Sequence, residues 1–292
     1  MSRVAVAGPG ALGCLFAASL ARSGITTWLI DHNQARATFL RETGITVESK
    51  DGGFVTHPEV GLAPPEQLDL FIVLTKSYAT SSVILPAATP VLTLQNGLGN
   101  AEILETRCGP ERVLAGATWE AVTWLAPGRV RHVASGKTVF GSWKGCPGKH
   151  ALDLLCQAGF NAAMVEDPRA ILWEKMIINA AINPLAAVLN VRNGALLEHP
   201  ESRALLHALA AEAAAVARAE GHGDDADVTL AVERACEATG DNISSMLQDI
   251  RNRKATEIEA ISGEIMRRAA DLGIPAPNTT LAYHLVRAME SI

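Results

Sequence analysis

Three polar side chains recur at four-residue steps in an apolar stretch of the second half of the chain. Lys175, Asn179 and Asn183 are separated mainly by Met, Ile and Ala, so on a helix they form one stripe. Burying a Lys or an Asn costs free energy unless each finds a partner. The pattern therefore predicts either a binding surface made of an ammonium and two carboxamides, or a solvent-reaching Lys with two Asn that brace neighbouring helices.

A carboxylate far along the chain has a similar setting. Three isoleucines mark the apolar face of a predicted helix, and Glu257 lies directly beside that face. A carboxylate at such a boundary needs a cationic or hydrogen-bonding partner, and Lys175 is the best candidate for it. Two nearby acids, Glu259 and Glu264, are expected to be more exposed.

The start of the chain predicts a strand, a glycine-rich turn and a helix. Apolar residues 3–7 precede Gly8-Pro9-Gly10-Ala11-Leu12-Gly13, and an apolar helical pattern follows. In a dinucleotide-binding fold such glycines allow the tight turn, the approach of a pyrophosphate and close packing of the helix on the strand. The helix N-terminus then offers its N–H groups to the phosphates. The alternative is an ordinary turn in a βα unit.

The end of the second predicted strand carries the residues that distinguish NAD from NADP. The strand over 26–30 is followed by Asp31, His32 and Arg36. An acidic side chain here accepts from the ribose 2′-hydroxyl, whereas an Arg pairs with a 2′-phosphate. Asp31 therefore favours NAD, while His32 and Arg36 could hold a phosphate if Asp31 turns aside. A solvent-exposed Arg36 is the other interpretation.

Two further strand ends carry polar residues. The apolar strand over 68–75 is followed by Lys76, and the strand over 91–94 leads into a Gly-rich stretch that contains Asn96. Ligands of open α/β sheets bind beyond the carboxyl ends of the strands, so both side chains are candidates for cofactor or substrate contact. A surface lysine and an Asn that closes a helix-entry turn are the alternatives.

Strand patterns stop near residue 166, and long helical periods follow. We therefore predict an α/β protein with an N-terminal Rossmann-type dinucleotide-binding domain at 1–166 and an all-helical C-terminal domain at 167–292. Residues 113–141 predict a small antiparallel addition that closes the sheet. In the helical half, Ser245 lies at a helix start, where it can cap the helix or bind a ligand. No role is assigned to Trp119, Glu120 and Trp124.

Composition excludes several classes of protein. The 292 residues are 48% hydrophobic and carry a formal net charge of -6, which argues against a nucleic-acid partner. The five cysteines are scattered and odd in number, so neither a disulfide framework nor a metal site is predicted. No targeting segment or membrane span is recognised, and a cytoplasmic location is expected. Alanine-rich helix 203–219 could pack within one chain or in a homodimer.

Taken together, the motifs resemble the ketopantoate reductase (2-dehydropantoate 2-reductase) family. The matching stretches are Gly8 to Gly13, Leu74-Thr75-Lys76, Gln95 to Asn100, Trp173-Glu174-Lys175, Asn179, Asn183-Pro184, Ser244-Ser245-Met246 and Thr256-Glu257-Ile258. The resemblance implies a Rossmann domain and a helical domain with the active site in the cleft between them. It also implies NADPH as reductant and ketopantoate, a small anionic 2-oxo acid, as substrate for (R)-pantoate formation.

The resemblance also implies roles for individual residues. Lys175 would donate a proton or hydrogen bond to the C2 oxygen as the hydride arrives, and Glu257 would hold a substrate hydroxyl and orient the lysine. Positions that contact the substrate are matched by Asn96, Asn179, Asn183 and Ser245. Asn96 and Lys76 match positions that face the nicotinamide end and the substrate carboxylate.

Two departures from that expectation stay open. Many relatives have an Arg at or next to position 32, where this chain has Asp31 and His32, so NADH use is compatible with the sequence. The substrate could also be a different 2-oxo acid, or the chain could be a non-catalytic dinucleotide-binding sensor.

Overall fold

The computed structural model of this protein describes residues 2–50, 52–223 and 227–291. The chain forms two compact units, of which the first comprises Met1–Gln95 with Asn100–Pro168 and the second Asn96–Gly99 with Arg169–Ile292. The predicted fold class is confirmed, since strands and helices alternate in the first unit and the second is helical. The predicted boundary after residue 166 lies close to Pro168, but it does not anticipate that the short segment 96–99 belongs to the second unit.

The first unit follows the strand and helix order expected of a dinucleotide-binding fold. Its described elements are β1 (Arg3–Ala7), α1 (Ala11–Arg22), β2 (Thr26–Ile30), α2 (Gln34–Thr43), β3 (Ile45–Ser49), β4 (Gly52–Thr56), β5 (Glu59–Gly61), β6 (Leu70–Val73), β7 (Val91–Thr93), α3 (Asn100–Cys108), β8 (Val113–Thr118), β9 (Ala121–Ala126), β10 (Arg129–Ala134), β11 (Lys137–Ser142), α4 (Lys149–Gln157) and β12 (Asn161–Val165).

The main sheet brings the strand ends that carry polar residues to one edge. Its eight strands run in the order β12-β11-β8-β7-β6-β1-β2-β5, and adjacent strands are parallel except for β11 against β8. Ala7, at the end of β1, pairs with Ile30 of β2 on one side and with Val73 of β6 on the other. The turns that follow these three strands therefore begin at the same level, where open α/β sheets bind ligands.

Residues 113–141 do more than close the main sheet. Strands β8 and β11 join it as predicted, but β9 and β10 form a second sheet with β3 and β4, in the order β4-β3-β10-β9. The pairing of β10 with β3 connects Arg129 and Thr46, which are distant in sequence. Local alternation indicates strands, but it does not identify a partner so far along the chain.

The core of the first unit is formed by its central strands and α1. All four residues of β6 are buried, and Val4 and Val6 of β1 have no exposed surface. Phe16 of α1 stacks on Phe160, with 4.1 Å between ring centroids. Fully burying a side chain of this size contributes about 1.5–3 kcal/mol, so this packing stabilises α1 against the segment that precedes β12.

The second unit is built around one long helix. Its described elements are α5 (Arg169–Leu189), α6 (Pro200–Ala219), α7 (Val228–Ala238), α8 (Ser245–Arg251), a π turn (Glu259–Gly263), α9 (Glu264–Leu272) and α10 (Pro277–Met289). Helix α5 packs against α6, α7, α8 and α10. It continues through Pro184, which is buried, although a proline inside a helix removes one backbone hydrogen bond.

Side-chain caps fix the ends of the shorter helices. Asp227 accepts hydrogen bonds from the N–H groups of Thr229 and Leu230 at the start of α7. Glu212 of α6 accepts from the N–H groups of Asn278 and Thr279, at 2.9 and 2.8 Å, and so caps α10. A cap of this kind contributes about 1 kcal/mol.

Helix α5 is long and apolar enough to cross a membrane by length and composition alone. Of the most apolar 18-residue window of this helix, 56% is buried inside the protein. It also carries the polar stripe of Lys175, Asn179 and Asn183. These features are typical of the core helix of a folded domain.

Candidate active site

The turn after β1 requires glycine at two positions. Gly8 has φ +106°, and a Cβ there would lie 2.7 Å from the carbonyl oxygen of Leu74. A Cβ on Gly13 would lie 1.7 Å from the carbonyl oxygen of Gly8. The turn is therefore tight, as the glycine spacing predicts, and it also packs on the end of β6, which the spacing does not predict.

The remaining residues of this turn leave room for a phosphate group. A Cβ on Gly10 would meet no atom within 4 Å, and no side chain caps the N-terminus of α1. The first turn of α1 contains no acidic residue, while Pro9, Ala11 and Leu12 are only partly buried. Uncapped N–H groups at a helix N-terminus attract anions, so this turn fits the pyrophosphate of a dinucleotide.

Cys14 lies directly behind the phosphate-binding turn. Its thiol donates to the carbonyl of Pro9 at 3.6 Å, and burial raises the pKa of Cys14 to about 12. The sulfur therefore stays neutral and adds no negative charge beside the helix N-terminus.

At the end of β2, Asp31 is engaged by the protein itself. Its side chain has no exposed surface, and its two oxygens accept from the Nε and Nη2 atoms of Arg36 at 2.5 and 2.6 Å. The N–H of Asn33 also donates to Asp31, and the hydrogen bond to Asp31 raises the pKa of Arg36. His32 is 88% exposed. The groups that face outward here are therefore His32 and part of Arg36.

The ends of β6 and β7 are joined by a network that the sequence analysis missed. Gln95 donates from Nε2 to the carbonyl of Thr75 at 2.9 Å and to Oγ1 of Thr80 at 2.8 Å, and it accepts from Thr93 at 3.0 Å. Lys76 follows Thr75 and is partly buried before a 3₁₀ turn. The sequence feature that could have identified Gln95 is its position as an amide side chain at the end of a buried strand.

In the second unit, Lys175 lies partly buried on α5 between the buried side chains of Trp173 and Met176. Burial lowers the pKa of Lys175 from 10.5 to about 8, while the nearby carboxylate of Glu257 acts in the opposite direction. The structure thus brings together two residues that the sequence analysis paired from their surroundings alone. An ammonium with a pKa lowered to about 8 donates a proton more readily than an ordinary lysine.

Glu257 is fixed by its own neighbourhood. It is 7% exposed, and its Oε2 accepts from Nδ2 of Asn96 at 3.3 Å. Just before it, the N–H and hydroxyl of Thr256 both donate to Glu290 at 2.7 Å. Lys175, Glu257 and Asn96, from three distant parts of the chain, therefore form one cluster in the second unit.

The other predicted substrate positions differ in their settings. Asn179 is partly buried and Asn183 is 7% exposed, on the same helix as Lys175. Ser244 is the residue that caps α8, because its hydroxyl accepts from the N–H of Leu247 at 3.2 Å. Ser245 is the exposed first residue of α8, so its hydroxyl is accessible.

An acid–histidine pair occurs in the first unit. The side chain of Glu120 is 2% exposed and lies 2.6 Å from Nε2 of His132. Lys137 lies over the ring of Trp119 at 4.3 Å. The first contact connects β10 to the end of β8, and the second connects β11 to it. They give Glu120 and Trp119 structural partners that the sequence did not indicate.

Within the described ranges, no three His, Cys, Asp or Glu side chains lie close enough together to hold a metal ion. All five cysteines are free thiols.

Comparison with known proteins gives matches over nearly the whole chain. The family model described as ketopantoate reductase PanE/ApbA matches residues 4–145, and the model of its C-terminal part matches residues 167–290. A 2-dehydropantoate 2-reductase of Halobacterium salinarum is 34% identical, with 98% of each chain covered. The crystal structure of a PanE/ApbA family ketopantoate reductase from Ralstonia eutropha JMP134 has a TM-score of 0.90 at 31% identity, covering 99% of this chain and 98% of that one. A D-mandelate dehydrogenase solved with NADH and anilino(oxo)acetate has a TM-score of 0.91 at 27% identity, with the same coverage.

Proposed function

This chain belongs to the ketopantoate reductase family, and from that premise we propose that it reduces 2-dehydropantoate to (R)-pantoate with a nicotinamide dinucleotide. The observation that carries the proposal is the cluster of Lys175, Glu257 and Asn96 in the helical unit. A buried carboxylate beside an ammonium of lowered pKa is typical of a site that moves a proton.

The proposed mechanism assigns the proton to Lys175. When bound, NAD(P)H would supply a hydride to C2 of the oxo acid. The C2 oxygen then becomes an alkoxide, and the Lys175 ammonium stabilises this charge and donates the proton. A cation already held in place by the protein stabilises such an oxygen better than water, which must reorient.

The remaining residues of the site are proposed to bind and orient the substrate. Glu257 accepts a hydrogen bond from the substrate hydroxyl, and Asn96 holds the Glu257 carboxylate in place. Asn179, Asn183 and Ser245 supply amide and hydroxyl groups for the polar end of the acid. Only an oriented substrate places C2 and its oxygen correctly for the two transfers.

The pH dependence of the reaction follows from the pKa of Lys175. Lys175 donates a proton, so it must be protonated, and this form prevails below its pKa of about 8. We expect kcat/KM to be level below that pH and to fall about tenfold per pH unit above it. An ordinary lysine, with a pKa of 10.5, would keep the activity across the same range. A pH profile of kcat/KM at saturating cofactor makes the comparison, and a level profile up to pH 10.5 would contradict the proton-donor role.

We further propose that NADPH is the preferred cofactor. Both oxygens of Asp31 are engaged by Arg36, so Asp31 is poorly placed to accept from a ribose hydroxyl. Arg36 and the exposed His32 remain to pair with a 2′-phosphate. The similarity to a D-mandelate dehydrogenase solved with NADH supports the alternative, in which NADH is preferred.

The Arg36→Ala variant tests this preference. It removes a phosphate partner and releases Asp31, so we expect the Kd of NADPH to rise about tenfold to a hundredfold while that of NADH stays level or falls. Fluorescence titration with both cofactors measures the change. Arg41→Ala is the matched control, because Arg41 lies on the same helix and donates to the carbonyl of Val60. Equal weakening of both cofactors by Arg36→Ala would contradict the assignment.

The activity itself is tested by the loss of absorbance at 340 nm when the protein is mixed with NADPH and 2-dehydropantoate. A panel that adds phenylglyoxylate, the oxo form of mandelate, and branched aliphatic 2-oxo acids tests the substrate. We expect the highest kcat/KM for 2-dehydropantoate. A sensor would bind the cofactor without oxidising it.

The cytoplasmic location and the homodimer stay predictions.

A further inference from the structure

The helix that follows Glu257 begins with a π turn at Glu259–Gly263. In a regular α-helix the N–H of Glu264 would donate to the carbonyl of Ala260, but here it donates to the carbonyl of Glu259, five residues back, and to that of Ile261. The carbonyl of Ala260 instead accepts from the N–H of Leu98 at 3.0 Å. The π turn thus offers a backbone acceptor to the segment Asn96–Gly99. Single π turns are typical of functional sites.

The segment fits the π turn closely. Gly97 has φ +82°, and a Cβ there would lie 2.4 Å from the carbonyl oxygen of Ala260 and 2.7 Å from its Cβ. Leu98 is 8% exposed and belongs to the same buried cluster as Met176 and Ile261. Backbone contact, one hydrogen bond and one buried side chain therefore fix the segment on the helix.

Asn96 begins this segment, directly before the two residues that contact the π turn. Its Nδ2 atom lies 3.3 Å from Oε2 of Glu257, which is a long hydrogen bond. Glu257 itself precedes the π turn on the same stretch of chain, and its carbonyl accepts from the N–H of Ile261 at 3.1 Å. The donor Asn96 and the acceptor Glu257 are therefore both attached to the π turn. Because their hydrogen bond is already long, a shift of a few tenths of an ångström would break it.

We propose that the π turn is a positioning device, in which Ala260 holds Gly97 and Leu98 so that Asn96 keeps the Glu257 carboxylate in place for Lys175. The inference deepens the proposed function and rests on it for its kinetic consequences. In this view Gly97, Leu98 and Ala260 act through Asn96 and touch no substrate. Without the π turn, the carbonyl of Ala260 would accept a hydrogen bond from the N–H of Glu264 within the helix. The N–H of Leu98 would then lose its acceptor.

The Gly97→Ala variant tests the proposal. The added Cβ collides with the backbone of Ala260, so the segment must move and Asn96 must part from Glu257. We expect kcat/KM to fall about tenfold, to the level of Asn96→Ala, because one hydrogen bond to a charged group is lost. Gly273→Ala is the matched control: Gly273 ends α9 with φ +69°, but its Cβ would meet no atom within 4 Å. It should keep the wild-type kcat/KM.

Two further measurements separate positioning from a general loss of structure. Hydrogen exchange at the Leu98 amide reports whether the segment has left the π turn, and NMR titration of the Lys175 side chain reports the Glu257 charge. Because Glu257 acts to raise the pKa of Lys175, its displacement should lower that pKa in Gly97→Ala and in Asn96→Ala, but not in Gly273→Ala. Fast exchange at Leu98 with unchanged Lys175 titration and unchanged kcat/KM would overturn the proposal.

A second variant covers the case in which Gly97→Ala does not fold. Ala260→Leu enlarges the side chain that faces Gly97 while keeping a good helix former, so it should displace the segment from the other side. We expect the same loss of kcat/KM and the same fall in the pKa of Lys175. If the Leu98 amide exchanges fast in this variant but kcat/KM and the pKa of Lys175 are unchanged, the proposal is overturned. If the wild-type protein reduces no 2-oxo acid, the proposed function fails, whereas the Lys175 titration still tests the positioning.

Discussion

Lys175→Ala is expected to lower kcat with 2-dehydropantoate by about 10³-fold, the largest effect of any single substitution in this chain. In the proposed mechanism this variant removes both the proton donor and the positive charge that stabilises the developing alkoxide. Hydride transfer would then leave an oxygen anion in a partly buried site without its proposed acid. Stopped-flow measurement of the first turnover separates this loss from any change in product release.

Two comparison variants sharpen the test of Lys175. Lys175→Arg keeps a positive charge, but an Arg does not give up its proton, so it should restore binding of the acid more than kcat. Lys149→Ala removes a lysine that is 77% exposed and paired with Asp153, and it should leave kcat unchanged. A Lys175→Ala enzyme whose kcat stays within about tenfold of wild type would assign the proton to another group.

The sequence predicts much of this site because its key residues violate the local pattern. Lys175, Asn179 and Asn183 are noticeable as polar residues at a helical period among apolar ones, and α5 carries all three. The glycine turn is predictable for a similar reason. Its spacing reflects contacts between near neighbours, such as that of Gly13 with Gly8, and these are encoded locally.

The remaining features depend on contacts between distant residues. The π turn arises where a helix departs from its regular hydrogen bonding, and no residue type at 259–263 marks it. The pairing of Leu98 with Ala260, and that of β10 with β3, joins segments whose sequences carry no record of each other. The orientation of Asp31 also needed the structure, because the sequence allows it to face either a ribose or Arg36. A pattern identifies groups that need partners, but packing decides which partners they receive.

Glu257→Gln is the second substitution with a large expected effect. Glutamine has nearly the same shape and can still accept from Asn96, so the variant removes chiefly the negative charge. We expect kcat/KM to fall about ten- to a hundredfold, because a charge-assisted hydrogen bond to the substrate hydroxyl becomes a neutral one. If Glu257 only binds the substrate, the fall in kcat/KM should come mainly from a higher KM. If Glu257 also orients Lys175, kcat should fall as well.

The pH profile of Glu257→Gln distinguishes those two roles. The Glu257 carboxylate opposes the effect of burial on Lys175, so its neutralisation should lower the pKa of Lys175 below about 8 and move the decline of kcat/KM to lower pH. Glu259→Gln is the matched control, since Glu259 follows on the same stretch of chain but is exposed and accepts from the hydroxyl of Tyr283 at 2.7 Å. If Glu257→Gln and Glu259→Gln give the same pH profile, the charge of Glu257 has no part in setting the acidity of Lys175, and its role reduces to contact with the substrate.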